Sequence, residues 1–105
     1  MSSTVTTDLA EQVIATLRAH EAELRRAGIR HLSLFGSVAR GDADASSDID
    51  LAVDFDPAAA MDLIRLVGLE RRIGELLGRP VDILPEPVEN PRLHANVARD
   101  RLLAF

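Results

Sequence analysis

An α/β (α+β) domain is predicted by three observations on this chain. Residues Asp48 to Phe55 alternate polar and apolar with period two, as a half-buried strand does. Apolar residues recur at helical spacing between Asp8 and Gly28, and again from Leu63 to Leu77. Val81-Asp82-Ile83-Leu84 is a short apolar run interrupted by one acid and followed by prolines at 85 and 87.

The elements follow in order. Met1 to Thr7 has neither a basic region nor an apolar stretch, so it is expected to be a flexible tail and not a secretory signal. Residues 8–105 are then one domain. Asp8 with Glu11 three residues on reads as a helix cap and its reciprocal partner. Ala10, Val13, Ile14, Leu17 and Leu24 share a face, and Gly28 is a low-strain stop, which predicts one helix of about five turns. Ile29 to Phe35 is a short strand with Leu32 and Leu34 on one face, followed by a small-residue turn at Gly36-Ser37. The polar stretch Gly41 to Ser47 is a loop. In the strand from Asp48 to Phe55, Ile49, Leu51, Val53 and Phe55 point one way, and Asp48, Asp50, Ala52 and Asp54 the other. Asp56-Pro57 is a good helix start. Leu63, Leu66, Val67, Ile73 and Leu77 supply its apolar stripe, and Gly78 ends it. Val81 to Leu84 is a third strand, and a last helix runs from about Arg92 to Leu103.

Composition narrows the function classes. The chain has 105 residues, 47% of them hydrophobic and 28% charged, as in an ordinary globular domain. No apolar run approaches the roughly 18 to 20 residues of a membrane span. The chain lacks cysteine, so it has no disulfide framework and no thiolate metal site, which fits a cytoplasmic setting. A net charge of -5, no Trp or Tyr and only three Phe argue against a nucleic-acid surface, which needs surplus cations and stacking rings. A nucleotide handled here is expected to be small.

Chemistry concentrates between the first two strands. Glycine and serine at a strand-to-helix turn leave backbone amides free and let phosphate approach closely. The Ser37 hydroxyl adds a donor toward a triphosphate oxygen. Arg40 either contacts phosphate or braces the loop, and Gly41 lets the chain leave the turn without steric cost. Asp48 and Asp50 lie two apart on a strand, so their carboxylates project from one face. Magnesium takes hard oxygen ligands in octahedral geometry, and two carboxylates aimed at a phosphate-binding turn suit it. Asp82 is the candidate third acid, because an unpaired carboxylate in an apolar strand is costly to bury. Two metal ions about 3.5 to 4 Å apart can then clamp an in-line phosphoryl displacement.

The order Gly-Ser-x-x-Arg-Gly-x5-Ser-Asp-x-Asp-Leu, from Gly36 to Leu51, resembles the signature of the polymerase-β-type nucleotidyltransferase superfamily. The chain length and Gly78-Arg79-Pro80-Val81-Asp82-Ile83-Leu84 resemble its minimal nucleotidyltransferase (MNT) branch. That resemblance implies a small mixed β-sheet with helices packed against it. It implies Gly36, Ser37, Arg40, Gly41 and Ser47 as nucleotide-binding residues, and Asp48, Asp50 and Asp82 as catalytic, metal-binding acids. It further implies ATP as substrate, two Mg2+ ions and, as partner in a hetero-oligomer, a HEPN-domain toxin that is silenced by AMP transferred to its tyrosine. Two other readings stay open: an antitoxin that only occludes its toxin, and a transferase with a small-molecule hydroxyl acceptor. Larger members carry an added acceptor-holding domain, which a chain of this length has no room for.

Other residues have plainer readings. Asp54 and Asp56 continue the acidic face, with Asp56 already a cap; Asp42 and Asp44 are solvated loop residues. His20, His31 and His94 have no spacing that suggests a shared metal. Arg71 and Arg72 form a wet helix face, and Leu102-Leu103-Ala104-Phe105 either packs on the sheet or meets a partner.

Overall fold

The computed structural model describes residues 8–105, and the expected tail at 1–7 lies outside the described residues. Asp8 does cap a helix, its Oδ1 accepting from the Ala10 amide at 3.1 Å. That helix does not continue to Gly28. It divides into α1 (Leu9–Ala19) and α2 (Glu21–Arg26) at His20, whose backbone leaves helical geometry at φ -108° and ψ 18°. Leu17 and Leu24 are both fully buried. Seven residues apart, they share a face with or without the bend, so periodicity could not reveal it.

β1 (Ile29–Phe35) runs directly into α3 (Gly36–Arg40), so the expected Gly-Ser turn is the first turn of a short helix. β2 (Ile49–Phe55) follows the loop. The helix expected at Asp56-Pro57 is only a 3-10 turn, Pro57–Ala59, capped by Asp56 accepting from the Ala58 amide at 2.9 Å. Ala60 then takes a left-handed φ of 51°, which breaks any continuation. The longer helix α4 (Leu63–Leu77) starts instead at Asp62, which accepts from the Arg65 amide at 2.8 Å. Of the expected stripe on α4, Ile73 is buried, whereas Leu63 and Val67 point outward at 74% and 49% exposure; Leu69 takes the inward place. β3 (Val81–Pro85) is as expected.

The last helix is shorter than its apolar tail suggested. α5 spans Pro91–Asp100, and Leu102–Leu103 form β4, a two-residue strand paired antiparallel with Ser33 and Leu34 of β1. The C-terminal run therefore packs on the sheet: Ala104 is buried, and the Arg25 guanidinium lies 4.9 Å from the Phe105 ring centre. Two residues are too few to show a strand period, which is why the run read as helix.

Among the described residues the strands form one sheet in the order β3-β2-β1-β4. β1 is antiparallel to β2 and β4, while β2 and β3 are parallel, with α4 as the crossover that parallel neighbours need. The sheet is mixed, as the resemblance implied. One face packs against α1, α2 and α4 through Val13, Leu17, Leu24, Leu34, Leu51 and Ile73. On the other face a smaller cluster, Phe35, Ala52 and Val97, lies under α5. The edge of the sheet at β3 is partly closed by α4, where a Glu70 carboxylate oxygen accepts from the Ile83 amide at 2.8 Å.

α5 is tied to α3 by a buried carboxylate. Asp100 accepts from Arg40 Nη1 at 2.9 Å and from Arg99 Nε at 2.8 Å, with its side chain 2% exposed. The Arg99 guanidinium foremost, with Arg40 beside it, holds this carboxyl below its ordinary 3.8, at about 2. A depressed folded-state value stabilises the fold above the ordinary value, and the contribution disappears as pH falls toward about 2. Asp100→Asn is therefore expected to melt below the parent at neutral pH. The gap should narrow on acidification through this window, as measured by thermal melts at a series of pH values. Melting curves that stay equally separated down to the acid end would show that Asp100 is not a stabilising charge.

Candidate active site

The register of three strands builds the site. Asp50 in β2 is the Cα partner of Phe35 on β1 and of Asp82 on β3. Phe35 ends its strand, so the next residue, Gly36, comes to lie against the Asp50 side chain. Gly36 has a φ of 78°, and a Cβ built on it collides with Asp50 Oδ2. Glycine is thus required twice over, for the left-handed backbone and for the carboxylate at its flank.

Gly36, Ser37 and Arg40 of α3, Asp50 of β2 and Asp82 of β3 line a single cavity of about 440 Å³. That size falls within the range of small-ligand sites. The first-turn amides of a helix have no intrahelical acceptor, so the Gly36-Ser37 end of α3 presents donors to the same space that holds the acids. A larger groove of about 580 Å³ between α4 and the start of β3 holds none of the candidate residues.

The remaining candidates lie around this cavity and not on its wall. Asp48 is exposed just before β2 begins. Gly41 takes the left-handed conformation that ends α3, at φ 82°. Ser47 belongs to a turn centred on Asp44: its Oγ accepts from the Asp44 amide at 3.0 Å and donates to Asp44 Oδ1 at 3.3 Å. Ser46 donates to the same oxygen, from its hydroxyl and its amide, and these bonds hold the Asp44 carboxyl below its ordinary value. Arg79 closes this loop, with Nη1 donating to the carbonyls of Asp44 and Ser47 at 3.1 and 3.2 Å. The loop that delivers Asp48 is therefore organised before any ligand arrives. Of the two roles considered for Arg40, the brace is visible, since it donates to Asp42 and Asp100 at 2.9 Å each while still lining the cavity.

Electrostatics link the acids. Burial, then the charges of Asp82 and Asp48, push the Asp50 carboxyl above its ordinary value, against a smaller opposing pull from Arg40. Desolvation leads and like-charge repulsion follows. A half-buried carboxylate flanked by two others is a charge arrangement that a divalent cation relieves, and all three donors are the hard oxygens magnesium prefers. Among the described residues no three such side chains converge closely enough to hold an ion as they stand. Asp48 and Asp82 are exposed and can rotate inward, while Asp50 is held by its strand.

The sequence reading missed the third wall of the cavity. Leu93, Asn96 and Asp100 of α5 line it, at the three- and four-residue spacing that puts them on one helix face. That spacing is legible in the sequence, but nothing local says what the face would cover until α5 is seen over the sheet. Of the residues set aside, Asp42 holds Arg40 and Asp44 organises the turn before Asp48. Asp54 pairs with Arg30 at 3.0 Å, and the three histidines lie at the α1–α2 bend, on β1 and on α5.

Comparison with known proteins agrees with this geometry. A family model described as a nucleotidyltransferase domain matches residues 17–103. The protein adenylyltransferase MntA of Thermococcus cleftensis is 40% identical over 75 residues, 70% of this chain and 74% of that protein. A solved structure of a candidate minimal nucleotidyltransferase superposes with a TM-score of 0.73 at 36% identity, covering 93% of this chain and 97% of the other. A toxin–antitoxin structure with AMP-PNP shares the fold, with a TM-score of 0.67 at 24% identity over 84% of this chain and 72% of that one. The matched span takes in the Gly-Ser turn and both acid-bearing strands, and the chain therefore belongs to the nucleotidyltransferase domain family and is a nucleotidyltransferase.

Proposed function

We propose that this chain transfers AMP from ATP to a hydroxyl group on a partner protein, with divalent magnesium, and that residues 8–105 form the transferase domain. The observation that carries the reading is the register pairing of Asp50 with Asp82 beside the Gly36-Ser37 turn, around one cavity. The relative from Thermococcus cleftensis, named a protein adenylyltransferase, supports a protein acceptor. The MNT-like motifs make a HEPN-type toxin, in a hetero-oligomer, the partner of choice.

In this reading the α3 amides and the Ser37 hydroxyl hold the triphosphate, and Asp48, Asp50 and Asp82 hold the magnesium. Bound there, magnesium supplies positive charge to the triphosphate and favours the ionised form of the acceptor hydroxyl. The acceptor oxygen forms a bond to the α-phosphorus as the bond from that phosphorus to the bridging oxygen breaks. Pyrophosphate leaves with the bonding pair. Asp82, exposed on the cavity wall, is placed to take the hydroxyl proton. Asp50 is fixed in position by its strand and by Gly36, so it sets where the phosphorus sits.

With labelled ATP, magnesium and the partner, the parent is expected to label the partner. Asp50→Asn should lower that labelling at least about 100-fold, the scale of losing a group that steadies transition-state charge. Its melting temperature without metal should be no lower than the parent's, since a neutral amide ends the repulsion. Full labelling by Asp50→Asn would remove the acids from the mechanism.

Gly36→Ala tests the turn. Forcing an L-residue into the left-handed region costs roughly 1–2 kcal/mol, and the added methyl displaces the Asp50 carboxylate. Lower stability together with weaker labelling is expected, read by denaturant melts and the same assay. Normal labelling would mean that Asp50 does not need its present position.

A further inference from the structure

The cavity has lining residues that the transfer chemistry leaves unused. Two residues beyond Asp82 on β3, about 7 Å along the strand, Leu84 lines the same space. Leu93 of α5 faces it from the helix side and is 38% exposed, an apolar residue held at the cavity and not in the core. Asn96, one turn farther along α5, lines the same cavity. Its side chain makes no hydrogen bond among the described residues, in contrast to Asn90, which caps α5 by accepting from the Arg92 and Leu93 amides at 3.0 and 3.2 Å. The Asn96 amide is therefore left with its donor and acceptor both unused within the fold.

We propose that Leu84 and Leu93 form a slot for the nucleotide's base, and that Asn96 reads that base as adenine and not guanine. The inference rests on the nucleotidyl-transfer reading and deepens it. The distance from the acids suits a ribose between phosphate and ring. The side-chain amide carries one donor group and one acceptor side by side. Adenine offers the complement, an amino donor at N6 next to an acceptor at N7. Guanine offers acceptors at both O6 and N7, so the Asn96 carbonyl would face a carbonyl and one bond would be lost. Phe35 and Ile83 also line the cavity but are only 8% and 6% exposed, so Leu84 and Leu93 offer the ring its more accessible apolar contact.

The test is a set of titrations of the purified chain, in magnesium, with ATP, GTP and inorganic tripolyphosphate. The parent should bind ATP at least about tenfold more tightly than GTP, the scale of one good bidentate pair. Asn96→Ala should bring that ratio close to one and leave tripolyphosphate binding unchanged. Asn96→Asp, which can still accept from the N6 amino group but cannot donate to N7, should weaken ATP binding and still disfavour GTP, since its carboxylate meets only acceptors on guanine. A parent that binds ATP and GTP alike, or an Asn96→Ala that keeps the parent's ratio, would overturn the base assignment and leave the transfer reading intact. Loss of tripolyphosphate binding in Asn96→Ala would mean that the residue supports the site as a whole and does not read the base. A parent that binds none of the three probes would overturn the transfer reading itself, and the base slot with it.

Discussion

The structure depends on one unfavourable contact, the placing of Asp50 and Asp82 side by side on parallel strands. A fold selected for its own stability would not put two carboxylates in register with a third acid just upstream. The cost is visible in the raised Asp50 carboxyl and in the glycine that its bulk demands at position 36. The surrounding elements accommodate that contact. The apolar face of the same strand, Ile49, Leu51 and Val53, is fully buried, and this burial anchors β2 in the sheet.

Two braces keep the acid-bearing segments from relaxing apart. On one side Arg79 ties the Asp44–Ser47 turn to the start of β3, and the Ile49 amide donates to the Pro80 carbonyl at 3.0 Å. On the other, Arg40 joins the short helix α3 to Asp100 on α5. Both braces use arginine, which stays charged; Arg40 spans Asp42 and Asp100 with two different nitrogens of its planar fork, and Arg79 reaches two carbonyls from one. All twelve basic residues are arginine.

Much of this was legible in the sequence, and the misses share a cause. The period-two strand at Asp48–Phe55, the isolated acid in Val81–Leu84 and the Gly-Ser turn each came through because local pattern and tertiary role agreed. The bend at His20, the late start of α4 and the two-residue β4 did not. In each case the local signal fitted two structures equally well, and packing against the sheet made the choice. Seven-residue spacing survives a kink, Asp-Pro starts a 3-10 turn as readily as a helix, and Leu102-Leu103 is apolar in either state. Of the residues that line the cavity, Gly36, Ser37, Arg40, Asp50 and Asp82 could be named from spacing and resemblance. The α5 wall could not, since nothing local says which face of a distant helix will cover a cavity.

The Glu70 carboxylate on the Ile83 amide bears on how the molecule meets others. An edge strand with free amides is a template on which foreign strands pair, and β3 is the edge that carries Asp82. By taking that amide, α4 denies an incoming strand one of the bonds it needs at the residue next to the acid. The rim beside Asp82 is thus left open to side chains and poorly suited to a pairing strand.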